Sequence, residues 1–278
     1  MQARRMPLHW HAADRDEEEN RMPWTVETLL QGYPGKSKYH GGLGWSTVAL
    51  ARGPEGRIVL LDTGGFGARR HLLTRLHAAG VAPEDVTDLL LTHLHYDHCL
   101  NWPMFPNAIL HAGAAELEMA LALPDGDPLY PEFTVRELAR NPRLRRLRDG
   151  ETGLPGITCF TAPGHTLHHL VFVLEGAPRT IFSADVAKNR SELATGRADM
   201  TLDAAAHEAS IARLNAAWRE VPGTVLLPGH DLPLVLDAAD GMVAQGERAC
   251  VIDAWFGDTL ADVTRFDLTE SGQGVNRA

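Results

Sequence analysis

Cysteine is scarce: Cys99, Cys159 and Cys250 are the only three in 278 residues, and no two form a CxxC pair. That excludes a disulfide framework of the small secreted kind and fits a reducing cytoplasm. Long apolar runs are also missing, since no stretch approaches the roughly 20 residues that a membrane-spanning helix needs. The N-terminal MQARRMPLHWHAADRDEEENR lacks the apolar centre of a secretory signal. Positive charge is in deficit. Lys and Arg number 26 against 36 Asp and Glu, a net charge of −10. Such a surface repels phosphate backbones and argues against nucleic acid as a partner. Internal repeats are absent, and low complexity is confined to the ends.

What remains is ordinary globular material, 44% hydrophobic and 22% charged, of a length that suits one layered α/β domain. Residues 1–23, with the acidic run Asp14 to Glu19, read as a disordered tail, and Met22 is a candidate start of the folded part. The domain is expected over 24–262, followed by a polar tail over 263–278. Apolar runs predict strands at WTVETLL, WSTVALAR, RIVLLDT, DLLL (88–91), AIL (108–110), ITCFTA, LVFVLE, RTIFSAD and TVLLP, with GPEG as a hairpin turn. Helices are expected over 68–80, 113–122, within the basic TVRELARNPRLRRLRDG, over 203–219 with Asp203 as N-cap, and near 238–254. Hairpin strands mixed with βα units predict two sheets with helices outside.

The chemistry is concentrated in Thr92-His93-Leu94-His95-Tyr96-Asp97-His98. His93, His95, Asp97 and His98 follow an apolar strand, so they lie at a sheet edge, where alternating side chains converge. Such tight spacing prevents one ion from collecting all four, whereas two neighbouring ions can share them. Ala162-Pro163-Gly164-His165, Phe182-Ser183-Ala184-Asp185 and Leu227-Pro228-Gly229-His230 each place one further donor just after an apolar run. That repeated placement argues for one convergent site. Nitrogen and oxygen donors suit zinc, and also iron or manganese.

HxHxDH, then PGHT, then an Asp after a strand, then PGH, with Leu61-Asp62-Thr63-Gly64 upstream, resembles the metallo-β-lactamase superfamily over roughly residues 24–236. The resemblance implies a four-layer αββα sandwich and two divalent ions. His93, His95 and His165 would hold one ion, Asp97, His98 and His230 the other, and Asp185 would bridge them. Asp62 and His169 would support these donors from behind. It also implies a metallo-hydrolase in which a water shared by the ions attacks a carbonyl and Asp97 orients it or moves a proton.

Lactones are the first substrate class, because lactonases of this superfamily have similar length and a helical insertion like that expected here at 113–156. Where several of them carry a Tyr three residues beyond the bridging Asp, this chain has Lys188, which could meet a substrate oxyanion. Glyoxalase II-type thioester hydrolysis, phosphodiester hydrolysis and iron-dependent sulfur dioxygenation are the alternatives, and a non-enzymatic binding module is the remaining class. Tyr39, His40 and Trp45 are candidate substrate contacts in the loop 32–45. The arginines between Arg136 and Arg148 read as a solvated basic face. The expected partner is a small molecule in the cytoplasm, without membrane or nucleic acid, and association of like chains is left open.

Overall fold

Strands that are apolar on both faces must be covered on both faces, and this dictates a layered arrangement. The computed structural model describes residues 23–39, 41–248 and 250–269. In chain order its strands are β1 (Thr25–Leu30), β2 (Lys36–Ser37), β3 (Gly41–Gly42), β4 (Val48–Arg52), β5 (Ile58–Leu61), β6 (Asp88–Leu91), β7 (Ile109–Gly113), β8 (Leu144–Leu147) and β9 (Gly150–Glu151). They continue with β10 (Ile157–Thr161), β11 (Leu170–Leu174), β12 (Thr180–Ala184), β13 (Val225–Pro228), β14 (Leu234–Leu236), β15 (Met242–Ala244), β16 (Val251–Trp255) and β17 (Val263–Asp267). The helices are α1 (Arg69–Ala78), α2 (Tyr96–Cys99), α3 (Ala114–Ala122), α4 (Glu132–Arg140), α5 (Arg190–Thr195) and α6 (Ala204–Glu220).

One six-stranded sheet runs β1-β4-β5-β6-β7-β8, and a seven-stranded sheet runs β15-β14-β13-β12-β11-β10-β9. Both are mixed: β5 to β8 pair in parallel in the first, and β12 with β13 in the second. Alternation along each strand decides which layer a side chain enters. Val59, Leu61 and Leu90 meet Phe172, Leu174, Phe182 and Leu227 between the sheets. Leu60, Leu89 and Leu91 face the other way, toward Leu72 and Leu76 of α1, Leu117 of α3, and Val135 and Leu138 of α4. On the far side, Val171, Val173, Ile181 and Leu226 pack on Leu214 and Trp218 of α6. The result is a four-layer αββα sandwich, as expected. Among the described residues no helix is long and apolar enough to cross a membrane.

Two stretches differ from expectation. The described residues of 238–254 are not helical but contribute β15 and most of β16. Asp237 accepts hydrogen bonds from the Ala239 and Gly241 amides, Asp240 takes a left-handed φ of 61°, and this turn sends the chain back along β14. Val263–Asp267, at the start of the expected polar tail, pairs with β16 as an antiparallel hairpin. The segment 113–156 holds α3 and α4 but then leaves helix. Leu144–Leu147 joins the open edge of β7, burying Leu147 and leaving Arg145 and Arg146 exposed, a charged edge of the kind that resists further pairing. The acidic tail expected over 1–23 lies outside the described residues, apart from Pro23.

Trp24 joins the first strand to the opposite sheet. Its amide donates to Glu175 O at 3.1 Å and its Nε1 to Pro155 O at 2.8 Å, and the side chain is buried. Gly53 leaves room for the ring, because a Cβ there would lie 2.4 Å from ring carbons. Trp24→Ala is expected to lower the unfolding free energy by about 3–5 kcal/mol, measured by urea denaturation. A loss within error of zero would show that this contact is not part of the core.

Candidate metal centre

The C-terminal ends of β6, β12 and β13 lie on the same edge of the sandwich, and the chain turns at each of them. β6 runs into His93 and His95, and α2 then carries Asp97 and His98. Asp185 follows β12, His230 follows β13, and His165 lies in the loop joining β10 to β11. The structure therefore brings all seven expected donors together. They fall into overlapping groups, His93 with His95 and His165, His93 with His98 and Asp185, and Asp97 with His98 and His230. Within each group the ligand atoms lie inside 4.8 Å of one another.

Asp185 stands between the groups. Its Oδ2 is 3.2 Å from His165 Nε2, while its Oδ1 is 3.3 Å from both His98 Nε2 and His230 Nε2. Asp97 Oδ2 is 3.6 Å from His98 Nε2 and 3.5 Å from His230 Nε2. Donors bound at the roughly 2.0–2.1 Å typical of zinc stand roughly 3.3 Å apart on a tetrahedron, so these separations fit a cation. Three buried atoms pointing into the cluster, His93 Nε2, His98 Nε2 and Asp185 Oδ1, have no hydrogen-bond partner. Each such atom costs about 1–3 kcal/mol if left unmade, a cost that a cation offsets.

The imidazoles are aimed from behind. Asp62 Oδ2 faces His98 Nδ1 at 2.7 Å, which places a proton on Nδ1 and leaves Nε2 as the atom facing the cluster. Asp62 has a left-handed φ of 56°, and its carboxylate also accepts from the Thr92 amide and hydroxyl, both at 2.8 Å. The Thr92 oxygen then accepts from His93 Nδ1 at 3.0 Å. Backbone carbonyls do the same elsewhere: Met200 O accepts from His165 Nδ1 at 3.0 Å, and Trp45 O from His230 Nδ1 at 2.9 Å. His169 stacks on His93 with centroids 4.6 Å apart, and its Nε2 accepts the Asp185 amide at 3.3 Å.

Burial lowers His95 to about 4 and His169 to about 3, and holds His93 well below the usual imidazole range. These rings stay neutral near pH 7, the form that ligates a cation. Burial alone would raise Asp185, but His230, His98 and His165 outweigh it and hold the carboxyl well below its ordinary value.

A cleft of about 710 Å³ opens over the donors. Asp97, His95, His165, Asp185 and His230 form its floor; Pro34, Lys36, Tyr96, Pro128, Leu129, Lys188, Asp199 and Met200 are among its walls. Lys188 lines the cleft as expected, but its ammonium is committed to Glu192 Oε1 at 3.1 Å and Asp199 O at 2.9 Å. Tyr39 is 80% exposed and does not line the cleft. Trp45 serves the site through its carbonyl, while its ring packs on Tyr33 at 5.1 Å. His40 lies outside the described residues. The loop contributes Pro34, Gly35, Lys36, Ser37, Gly42 and Gly44 to the wall instead. Asp199, the Met200 carbonyl and the buried Glu116 went unnoticed in the sequence. A carboxylate in the first turn of a helix is unremarkable until its partners are known.

The family model described as Metallo-beta-lactamase superfamily matches residues 41–230. The chain is similar to Metallo-beta-lactamase domain-containing protein 1 of Homo sapiens, 32% identical over 244 residues, which is 76% of this chain and 82% of that protein. Among solved structures it is similar in fold to AidC, a dizinc quorum-quenching lactonase in complex with a homoserine product. There the TM-score is 0.60 at 17% identity, covering 81% of this chain and 92% of that one. A mutant of B. thuringiensis AiiA with N-decanoyl-L-homoserine bound gives a TM-score of 0.60 at 17% identity over 76% and 93% of the two chains.

Asp62→Asn keeps the volume but not the paired acceptors for Thr92 and His98. Zinc affinity is expected to fall about 10–100-fold, measured by competition with a chromophoric chelator. Affinity equal to the unmodified chain would remove Asp62 from the site.

Proposed function

This chain belongs to the metallo-β-lactamase superfamily, and on that premise we propose that it opens carboxylic esters, lactones before linear ones. It is a metallo-hydrolase acting on small molecules. His93, His95 and His165 hold one divalent ion in this reading, and Asp97, His98 and His230 hold the other. The observation that carries the reading is Asp185, whose two oxygens face the two groups separately. Zinc is the first choice of metal, with iron or manganese compatible with the same donors. When bound, the two ions supply an acidified water and polarise a carbonyl.

The chain's own residues do the rest. Asp97 faces the cleft with 17% of its side chain exposed, so it can accept a proton above the donors and return it to the departing alkoxide. The cleft volume of about 710 Å³ lies within the range of small-molecule sites. Both lysines of the wall are already ion-paired, Lys36 with Asp199 and Lys188 with Glu192. Neutralised cations favour an uncharged carbonyl compound over a phosphodiester anion. Pro34, Tyr96, Pro128, Leu129 and Met200 offer the apolar surface such a substrate needs. The lactonase activity of AidC and the homoserine product bound there agree with this choice.

A pH-stat assay of zinc-loaded protein on lactones of several ring sizes, linear esters, a thioester and a phosphodiester tests the proposal. Lactones are expected to turn over fastest, with all turnover abolished by chelator and restored by zinc. Turnover of the phosphodiester alone would overturn it. Asp97→Asn is expected to lower kcat by about 10²–10⁴-fold while the far-UV spectrum is unchanged. Full activity in that variant would remove Asp97 from the reaction.

A further inference from the structure

Glu116 supplies no donor to the cluster, yet its carboxylate is fully enclosed, with 0% of the residue exposed. It sits in the first turn of α3, and no lysine or arginine forms an ion pair with it among the described residues. Its partners are hydrogen-bond donors instead. Oε1 accepts from the Leu94 amide at 3.2 Å and the Tyr130 hydroxyl at 3.0 Å, and Oε2 accepts from the Thr166 hydroxyl at 2.8 Å.

Each of these partners belongs to the three-histidine group. Leu94 lies between His93 and His95. Thr166 follows His165 in the loop between β10 and β11. Tyr130 presents its ring edge-on to His95, with centroids 4.7 Å apart. His93 and His95 come from the first sheet, His165 from the second, and Glu116 bonds to both sides. One buried carboxyl group thus spans the gap that the three imidazoles must hold. Through Tyr130 it also reaches the cleft wall, since Leu129 O accepts the Tyr96 amide at 2.8 Å and Asp127 caps the Leu129 and Tyr130 amides.

We propose that Glu116 is the positioning residue of the His93–His95–His165 half-site, fixing the separation of the two loops that carry it. This rests on reading those histidines as metal donors. In the second half-site His98 is held by Asp62 and His230 by the Trp45 carbonyl, and neither support touches Glu116, so loss of Glu116 acts on one ion and not on both.

The test uses the full chain, stripped by chelator and titrated with zinc against a chromophoric competitor, with bound metal counted by mass spectrometry and fold followed by circular dichroism. The unmodified chain is expected to bind two ions. Glu116→Ala should hold one ion at the original affinity and bind the other about 10–100-fold more weakly. Glu116→Gln still accepts from Leu94 and Tyr130 and can donate to Thr166, so it should return the weakened site to within about threefold. Should the alanine variant fail to fold, Glu116→Asp, which withdraws the charge by one methylene, is read in the same way. Two ions at unchanged affinity in the folded variant would overturn the proposal, as would equal weakening of both. If the unmodified chain binds no zinc, the metal reading falls and this inference falls with it.

Discussion

The apolar seam between the two sheets governs where every donor of the cleft can be. Val59, Leu61 and Leu90 press on Phe172, Phe182 and Leu227, and this contact sets the ends of β6, β12 and β13 side by side. His93 and Asp97 descend from one sheet, Asp185 and His230 from the other. Neither sheet carries enough donors to fill both half-sites. Burying a large aromatic or aliphatic side chain is worth about 1.5–3 kcal/mol, and many do so here. That collective term holds the donors in place against the cost of gathering polar groups out of water.

Behind the donors stands a ring of acceptors. Asp62, the carbonyls of Met200 and Trp45, and the Thr92 hydroxyl fix which nitrogen of each imidazole carries the proton. Glu116 acts one step further out, on backbone and hydroxyl groups, and sets loop spacing where Asp62 sets ring orientation. Asp62, Thr92 and Glu116 are buried and have hydrogen-bond partners, and three buried atoms without one, His93 Nε2, His98 Nε2 and Asp185 Oδ1, converge at the centre.

Much of this was legible in the residues. The convergence of the seven candidate donors was readable because their segments follow apolar runs, and a strand end is a place whose position the sheet dictates. Both sheets were readable for the same reason, since LVFVL and TIFSA leave no face for water. The misreadings have physical causes. Residues 238–254 carry alanine and apolar groups at spacings compatible with a helix, and only the Asp237 turn decides otherwise. Leu144–Leu147 is short and arginine-rich, and it becomes a strand because β7 offers an edge. Tyr39 and Trp45 looked like contacts because they are aromatic, but loop geometry puts one ring in solvent and the other on Tyr33. Glu116 was hidden because its importance lies in partners at sequence distances of 14 to 50.

The carbonyls that orient His165 and His230 belong to the segments that wall the cleft. Met200 lies beside the bound Asp199, and Trp45 closes the loop that begins at Tyr33 and presents Lys36. A molecule settling against these segments therefore presses on the groups that hold the rings. If its fit tightens their grip on the cation, the cation must by thermodynamic reciprocity tighten the fit of the molecule by the same factor. The wall and the floor of the cleft are joined by two hydrogen bonds, and such a coupling would run through them.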